Sequence, residues 1–185
     1  MPKAQAKRHH LMDAALQHFG TTGFHESKMD EIAAAAGVAK GTIYLYFPNK
    51  ETLYRSVMAR EFERFISEVQ VKLIGVTGMV EQLRTIAEYQ LMYYYHQVKY
   101  KQLFFQSPHN DPLMWVELES FMKQFVSIIG DVLVSGDVKD VPIKALAFMG
   151  MVDQFKMMIF AGQMNDEIVI RDTADKVSYL FVNGC

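Results

Sequence analysis

Apolar positions recur at intervals of three and four along nearly the whole chain, and no run alternates cleanly at a period of two. That is the spacing of one covered face of an α-helix, so the chain is predicted to be all-α. Leu11, Ala15 and Phe19 stand four apart and mark a helix from about residue 4 to residue 20, with Gly20 and Gly23 punctuating its end. Ser27-Lys28-Met29-Asp30 reads as a capping box, with Asp30 a shorter stand-in for Glu. It starts a short helix through Ala36 that Gly37 ends, and a third helix follows over about 38–44. Pro48-Asn49 supplies a stop and a fresh N-cap for a long helix from about residue 50 into the 70s. Gly75-Val76-Thr77-Gly78 breaks it. Further helices are expected over about 78–97, 99–106, 111–135, 142–162 and 166–182, roughly nine in all, with Ser107-Pro108, Asp111-Pro112, Ser135-Gly136, Val141-Pro142 and Gly162 as punctuation. This pattern divides the chain into a small N-terminal domain, residues 1–50, and a larger helical domain, residues 51–185.

Charge sharpens that division. The formal net charge of −2 over 185 residues does not advertise a partner. The first sixty residues, however, carry eight Lys and Arg against five acids, a balance of +3, which leaves −5 on the rest. A basic end on an acidic body suits a protein of which one end alone meets phosphate. The one cysteine, Cys185, precludes a disulfide within the chain and fits a reducing cytoplasm. The polar start, with no apolar signal region, and the lack of any 18-residue uncharged apolar run predict no export and no membrane span. No metal-ligand spacing stands out. His9 and His10 are adjacent and diverge on a helix, so they read as a solvated arm, and no cofactor is expected.

The stretch from Met29 to Tyr54, MDEIAAAAGVAKGTIYLYFPNKETLY, carries the chemistry. Two short helices flank a tight turn at Gly37, the layout of a helix-turn-helix. Ala33 to Ala36 form a smooth surface that a second helix can cross closely, and Ile32, Val38, Ile43 and Phe47 are placed to hold the unit together. The second helix is odd as a purely structural object. Gly41 sits in its interior, where Gly costs roughly 1 kcal/mol relative to Ala. Around it lie Ala39, Lys40, Thr42, Tyr44 and Tyr46. Small residues admit a close backbone, while hydroxyls and Lys reach phosphates and base edges in a major groove. Lys50 stands in the first turn of the long helix, where the macrodipole disfavours a cation but helix N–H groups bind phosphate.

From about Leu11 to Tyr54, carried by DAALQHFGTTGF and the ordered run G-V-A-K-G-T-I-Y-x-Y-F-x-N-K-E-x-L, the chain resembles the DNA-binding domain of TetR-family repressors. The resemblance covers about a quarter of the chain. It implies that Ser27 contacts phosphate at the start of the second helix and that Ala39, Lys40, Gly41, Thr42 and Tyr44 form the groove-facing surface. Lys40 and Tyr44 would also touch bases, and Tyr46 and Lys50 would hold backbone phosphates. The implied partner is double-stranded operator DNA.

Residues 89–125 are rich in rings and in Met. Tyr89, Tyr93 and His96 share a helical face, and Phe104, Phe105, Trp115, Phe121 and Phe125 follow. Core packing accounts for single rings, but the set exceeds what a plain bundle needs. A pocket for a small hydrophobic or amphipathic effector, an acyl chain for example, is expected around Tyr89, Tyr93, His96, Phe104, Trp115 and Phe121, with Tyr93, His96 and Trp115 supplying polar handles. The segment PIKALAFMGMVDQFKMMIFAG is apolar nearly all round, and Val177, Leu180 and Phe181 share a face of the last helix. These two helices, about 142–162 and 166–182, are expected to form a four-helix interface of a homodimer.

The resulting expectation is a repressor that binds a near-palindromic operator as a dimer and is released when an effector shifts the population toward a splayed state. No ordered nucleophile–base set, phosphate-cradling Gly loop or metal spacing supports an enzyme. A scaffolding module that turns its helix-turn-helix to a protein partner is the alternative, and an activator on the same scaffold is also compatible with the sequence.

Overall fold

The protein is described by a computed structural model covering residues 2–100, 103 and 111–184. The described residues form eight α-helices and no strand: α1 (Pro2–Thr22), α2 (Met29–Ala35), α3 (Lys40–Tyr46), α4 (Lys50–Leu73), α5 (Met79–His96), α6 (Pro112–Ser135), α7 (Val141–Phe160) and α8 (Glu167–Gly184). A single 3₁₀ turn, Val98–Tyr100, follows α5. The helix expected over 99–106 therefore begins as a 3₁₀ turn, and most of its span lies outside the described residues.

The chain gathers into two compact units. The first holds residues 1–63 and 99–119, and the second 64–98 and 120–185. The division falls within α4, after Glu63, rather than at residue 50, and a later segment returns to the first unit.

In the first unit α1 packs on α2 and α2 on α3. Leu11, Ala15 and Phe19 are fully buried beside Ile32, Ile43, Phe47, Leu53 and Val57. Gly20 does not stop α1. A Cβ there would lie 2.6 Å from the Tyr100 side chain, so the residue is a packing notch. The stop is Gly23, at φ +89. The capping box does not form either. Lys28 is the N-cap of α2 and makes no side-chain cap, because the Ser27 hydroxyl donates backward to the Gly23 carbonyl at 2.6 Å.

Gly37, at φ +63, closes α2: its N–H reaches the Ala34 carbonyl at 2.9 Å and the Val38 N–H reaches that of Ala33 at 3.0 Å. This is a Schellman closure, and it consumes Val38. Ala39 is extended as the N-cap, so α3 begins two residues later than expected. The Asn49 cap does form, with its Oδ1 accepting from the Thr52 N–H at 2.8 Å.

In the second unit α5 packs against α7 and α8. Leu83, Ile86, Ala87 and Leu91 lie in its core with Phe125, Ile129, Phe148, Val152, Ile170, Ala174, Val177 and Phe181. Val177 and Phe181, expected at an interface, thus face their own core, and Leu180 alone of that trio is exposed. No helix among the described residues is long and apolar enough to cross a membrane.

Candidate nucleic-acid interface and effector cavity

The helix-turn-helix is pinned from one side. His10 Nε2 lies 3.0 Å from the Ala36 carbonyl, which can only accept, so the ring donates there to the carbonyl at the end of α2. His9 and His10 both lie on α1 and both are exposed, with His10 making this one contact. Arg8 stacks over the Phe47 ring at 5.0 Å and donates to Ser56 at 3.1 Å. Tyr54 is buried against Phe19 and Phe24, and its hydroxyl donates to the Leu103 carbonyl at 2.6 Å. Burial pushes that phenol well above its ordinary pKa.

With Ile43 and Phe47 fully buried, the opposite face of α3 is turned outward. Ala39, Lys40, Gly41 and Tyr44 are exposed there, and Thr42 and Tyr46 are half-buried. A Cβ at Gly41 would meet no other atom within 4 Å. Nothing among the described residues requires glycine at this position.

Three of the candidates, Lys40, Lys50 and Ser27, are already engaged. Lys40 Nζ pairs with Asp30 at 2.7 Å, and that carboxylate raises the ammonium pKa. Lys50 Nζ donates to the carbonyls of His25 at 3.1 Å and Ser27 at 2.9 Å and sits 4.5 Å from the Phe24 ring centre. It clamps the loop before α2. Ser27 is buried, with its hydroxyl committed to Gly23, so that hydroxyl does not stand on the surface. One residue of this face was missed. Leu45 is 84% exposed, and a leucine beside Ile43 reads as core unless the helix phase is drawn.

The second unit holds an open cavity of about 360 Å³. Tyr89, Met92, Tyr93 and His96 of α5 form one wall, Arg64, Glu68 and Lys72 of α4 another, and Arg171 of α8 stands at the rim. The structure thus brings together Tyr89, Tyr93 and His96. Phe121 is nearby in packing terms, since Phe65 makes ring contacts with Tyr89, Tyr93, Phe121 and Phe125 at 5.1–5.5 Å between centroids. Trp115 is not part of this group: it belongs to the first unit and is 60% exposed. Phe104 and Phe105 lie outside the described residues.

The cavity is more polar than a greasy pocket. Tyr89 donates to Glu68 at 2.9 Å, and burial, then this carboxylate, push its phenol pKa up. Arg64 also bonds Glu68, at 3.0 Å, and Glu88 is held by Arg171 and Arg84. Both acids at the cavity are therefore matched, and Lys72 adds a further cation. The signal for this wall is the i, i+4, i+8 series Arg64, Glu68, Lys72 along α4.

On α7, Ile143, Leu146, Ala147, Gly150 and Met157 are exposed at helical spacing, and on α8 Ile168, Val169, Tyr179 and Leu180 are exposed. Ala145, by contrast, is buried.

Residues 11–57 match the model of the family described as bacterial regulatory proteins, TetR family. The fatty acid metabolism regulator protein of Bacillus subtilis is 39% identical over 70 residues, which cover 38% of this chain and 36% of that protein. The match thus spans about a third of that relative. The HTH-type transcriptional regulator RutR of Escherichia coli K12 is 25% identical over 97% of this chain and 90% of its own. Among solved structures, FadR from Bacillus subtilis in complex with stearoyl-CoA superposes with a TM-score of 0.81 at 23% identity, covering 96% of this chain and 98% of that one. The fatty acid degradation regulator FadR from Bacillus halodurans gives 0.83 at 22% identity over 96% and 95%. At these identities the two structures establish a shared fold.

Proposed function

We propose, from the premise that this chain is a DNA-binding transcriptional regulator of the TetR family, that it represses by gripping a near-palindromic operator as a dimer and lets go when a small amphipathic effector occupies the second unit. The observation that carries the DNA half is the outward face of α3, where Gly41 has no internal reason to be glycine. Ala39, Lys40, Gly41, Thr42 and Tyr44 would meet the groove, with Lys40 exchanging Asp30 for a phosphate or base. Tyr46 would reach the backbone. Lys50 would do so with the one N–H that its two carbonyl bonds leave over.

The dimer would form through the exposed apolar stripes of α7 and α8, which a second copy would cover under two-fold symmetry. Two recognition helices would then stand about one helical turn of DNA apart. The effector would lie on Tyr89, Met92 and Tyr93, with an anionic head toward Arg64, Lys72 and Arg171. The stearoyl-CoA held by the Bacillus subtilis FadR has that chemistry, an acyl chain on an anionic carrier. Such a regulator would work in the cytoplasm.

Anisotropy titration against DNA from upstream of the protein's own gene, at several salt concentrations and with unrelated DNA as control, tests the reading. Selective binding that weakens steeply with salt is expected, and saturating stearoyl-CoA is expected to release the DNA while the dimer persists. Binding to neither DNA after refolding to strip bound ligand would sink it and favour a protein partner for the helix-turn-helix.

A further inference from the structure

Leu45 is the anomaly of the outward face of α3. Among the described residues no large hydrophobic side chain is more exposed. Two residues along a helix is a rotation of about 200°, so Leu45 stands opposite the fully buried Ile43 and points straight away from the core. Gly41 lies one turn before it on the same face and presents no side chain. Tyr44, 43% exposed, flanks it. Three polar side chains around this surface have internal partners: Lys40 has Asp30, Lys50 has two carbonyls, and Ser27 has Gly23. At the most exposed point of α3 stands an isobutyl group beside a bare backbone.

We infer that Leu45 reads a thymine by apolar contact with its 5-methyl group, and so makes this chain selective for thymine at one position of each operator half-site. The major groove presents one apolar feature, the thymine methyl, and short apolar side chains are its natural partner. The missing Cβ at Gly41 lets the helix approach closely enough for a leucine to touch it. In this arrangement the exposed leucine is desolvated in the complex and contributes nothing to the free fold. The inference rests on the reading of α3 as the helix that enters the groove, and it adds a base and a residue which that reading leaves open.

The test uses the full-length protein and a duplex selected by it from a random-sequence library. Each thymine of the selected site is replaced in symmetric pairs by deoxyuridine, which differs only in lacking the methyl group. One such pair is expected to weaken binding by about fourfold per half-site, and about fifteenfold for both, the size of the loss of one buried methyl-sized group at each. Leu45→Ala is expected to weaken binding to the thymine duplex by at least as much, to bind the deoxyuridine duplex no worse than the thymine one, and to melt at the wild-type temperature. Selective binding that no deoxyuridine pair disturbs, or a deoxyuridine effect that persists in full in Leu45→Ala, overturns the role of Leu45 and leaves α3 as the reader. Failure to select any sequence overturns both.

Discussion

The outward face of α3 and the cavity beside α5 are the two candidate functional surfaces, and the chain encodes them in opposite ways. The α3 surface is made of neighbours in sequence, residues 39–46, whose types make poor sense for a buried helix. The cavity draws one wall from α4, one from α5 and its rim from α8, so its residues run from Arg64 to Arg171. A surface built from one short segment is visible as a local oddity. A cavity built from three helices is visible only once the packing is known. Its aromatic residues also do two jobs, because Phe65 gathers Tyr89, Tyr93, Phe121 and Phe125 into a cluster that is core on one side and cavity wall on the other.

That double role gives the largest expected effect. Removing the Phe65 ring leaves four aromatic neighbours without their common partner, and Phe65→Ala is expected to destabilise the protein by about 3–5 kcal/mol. Chemical denaturation followed by fluorescence and far-ultraviolet circular dichroism measures it. An equivalent change on the outward face of α3 should move stability little. If Phe65→Ala melts like the wild type but loses only the effector response, the cluster is a soft pocket lining rather than core, and the contrast between the two regions disappears.

How much of the molecule was legible follows from the same contrast. The helix order and the spacing of Leu11, Ala15 and Phe19 could be read because a buried helical face repeats every three to four residues. The errors came where one local signal had two physical uses. Gly20 looked like a helix stop and is a notch for Tyr100. Ser27 looked like an N-cap and bonds backward to Gly23. Val177 and Phe181 looked like an interface because a lone helix cannot say which neighbour covers it, and their own core does. Trp115 looked like a pocket residue by its type, but the chain places it in the other unit.

Two glycines sharpen the comparison at intermediate size. Gly37 has a left-handed backbone required by the turn, whereas Gly41 has helical geometry and empty surroundings. Gly37→Ala is expected to lower stability by about 1–2 kcal/mol, the cost of forcing a Cβ into that conformation, and to weaken DNA binding only as far as the turn shifts. Gly41→Ala is expected to do the reverse. Gly41 is the second residue of α3, so the gain in stability should stay below the roughly 1 kcal/mol of an interior position, while operator binding should weaken about tenfold or more, the loss of one good groove contact. Thermal melts and anisotropy on the same two variants separate the cases. A Gly41→Ala protein that is both more stable and an equally good binder would mean that DNA does not approach α3 closely there.

The smallest effect concerns acid. Each unit carries an exposed carboxylate whose pKa is held below the ordinary range by a cation one helical turn away. In the first unit this is Glu31, through Lys28 at 3.3 Å, and in the second Glu81, through Arg84 at 2.8 Å. A depressed folded-state pKa means that the unfolded chain binds the proton more readily, so each pair stabilises above the ordinary carboxylate pKa and loses that contribution as pH falls through the folded value. The sign is therefore the same in both units: stability should fall with acid below about pH 4.5. Both pairs are solvent-screened, so the slope should be shallow. Melting temperatures measured from pH 6 to pH 3 for Glu31→Gln and Glu81→Gln check this, with each substitution expected to flatten the acid limb slightly and added salt expected to flatten it for the wild type as well. Arg84 also meets Glu88 and Asp175, whereas Lys28 pairs with Glu31, so Glu81→Gln leaves the arginine two other partners. The larger flattening should therefore come from Glu31→Gln, and an equal or opposite order would show that the networked arginine in the second unit depends on Glu81 more than its geometry implies.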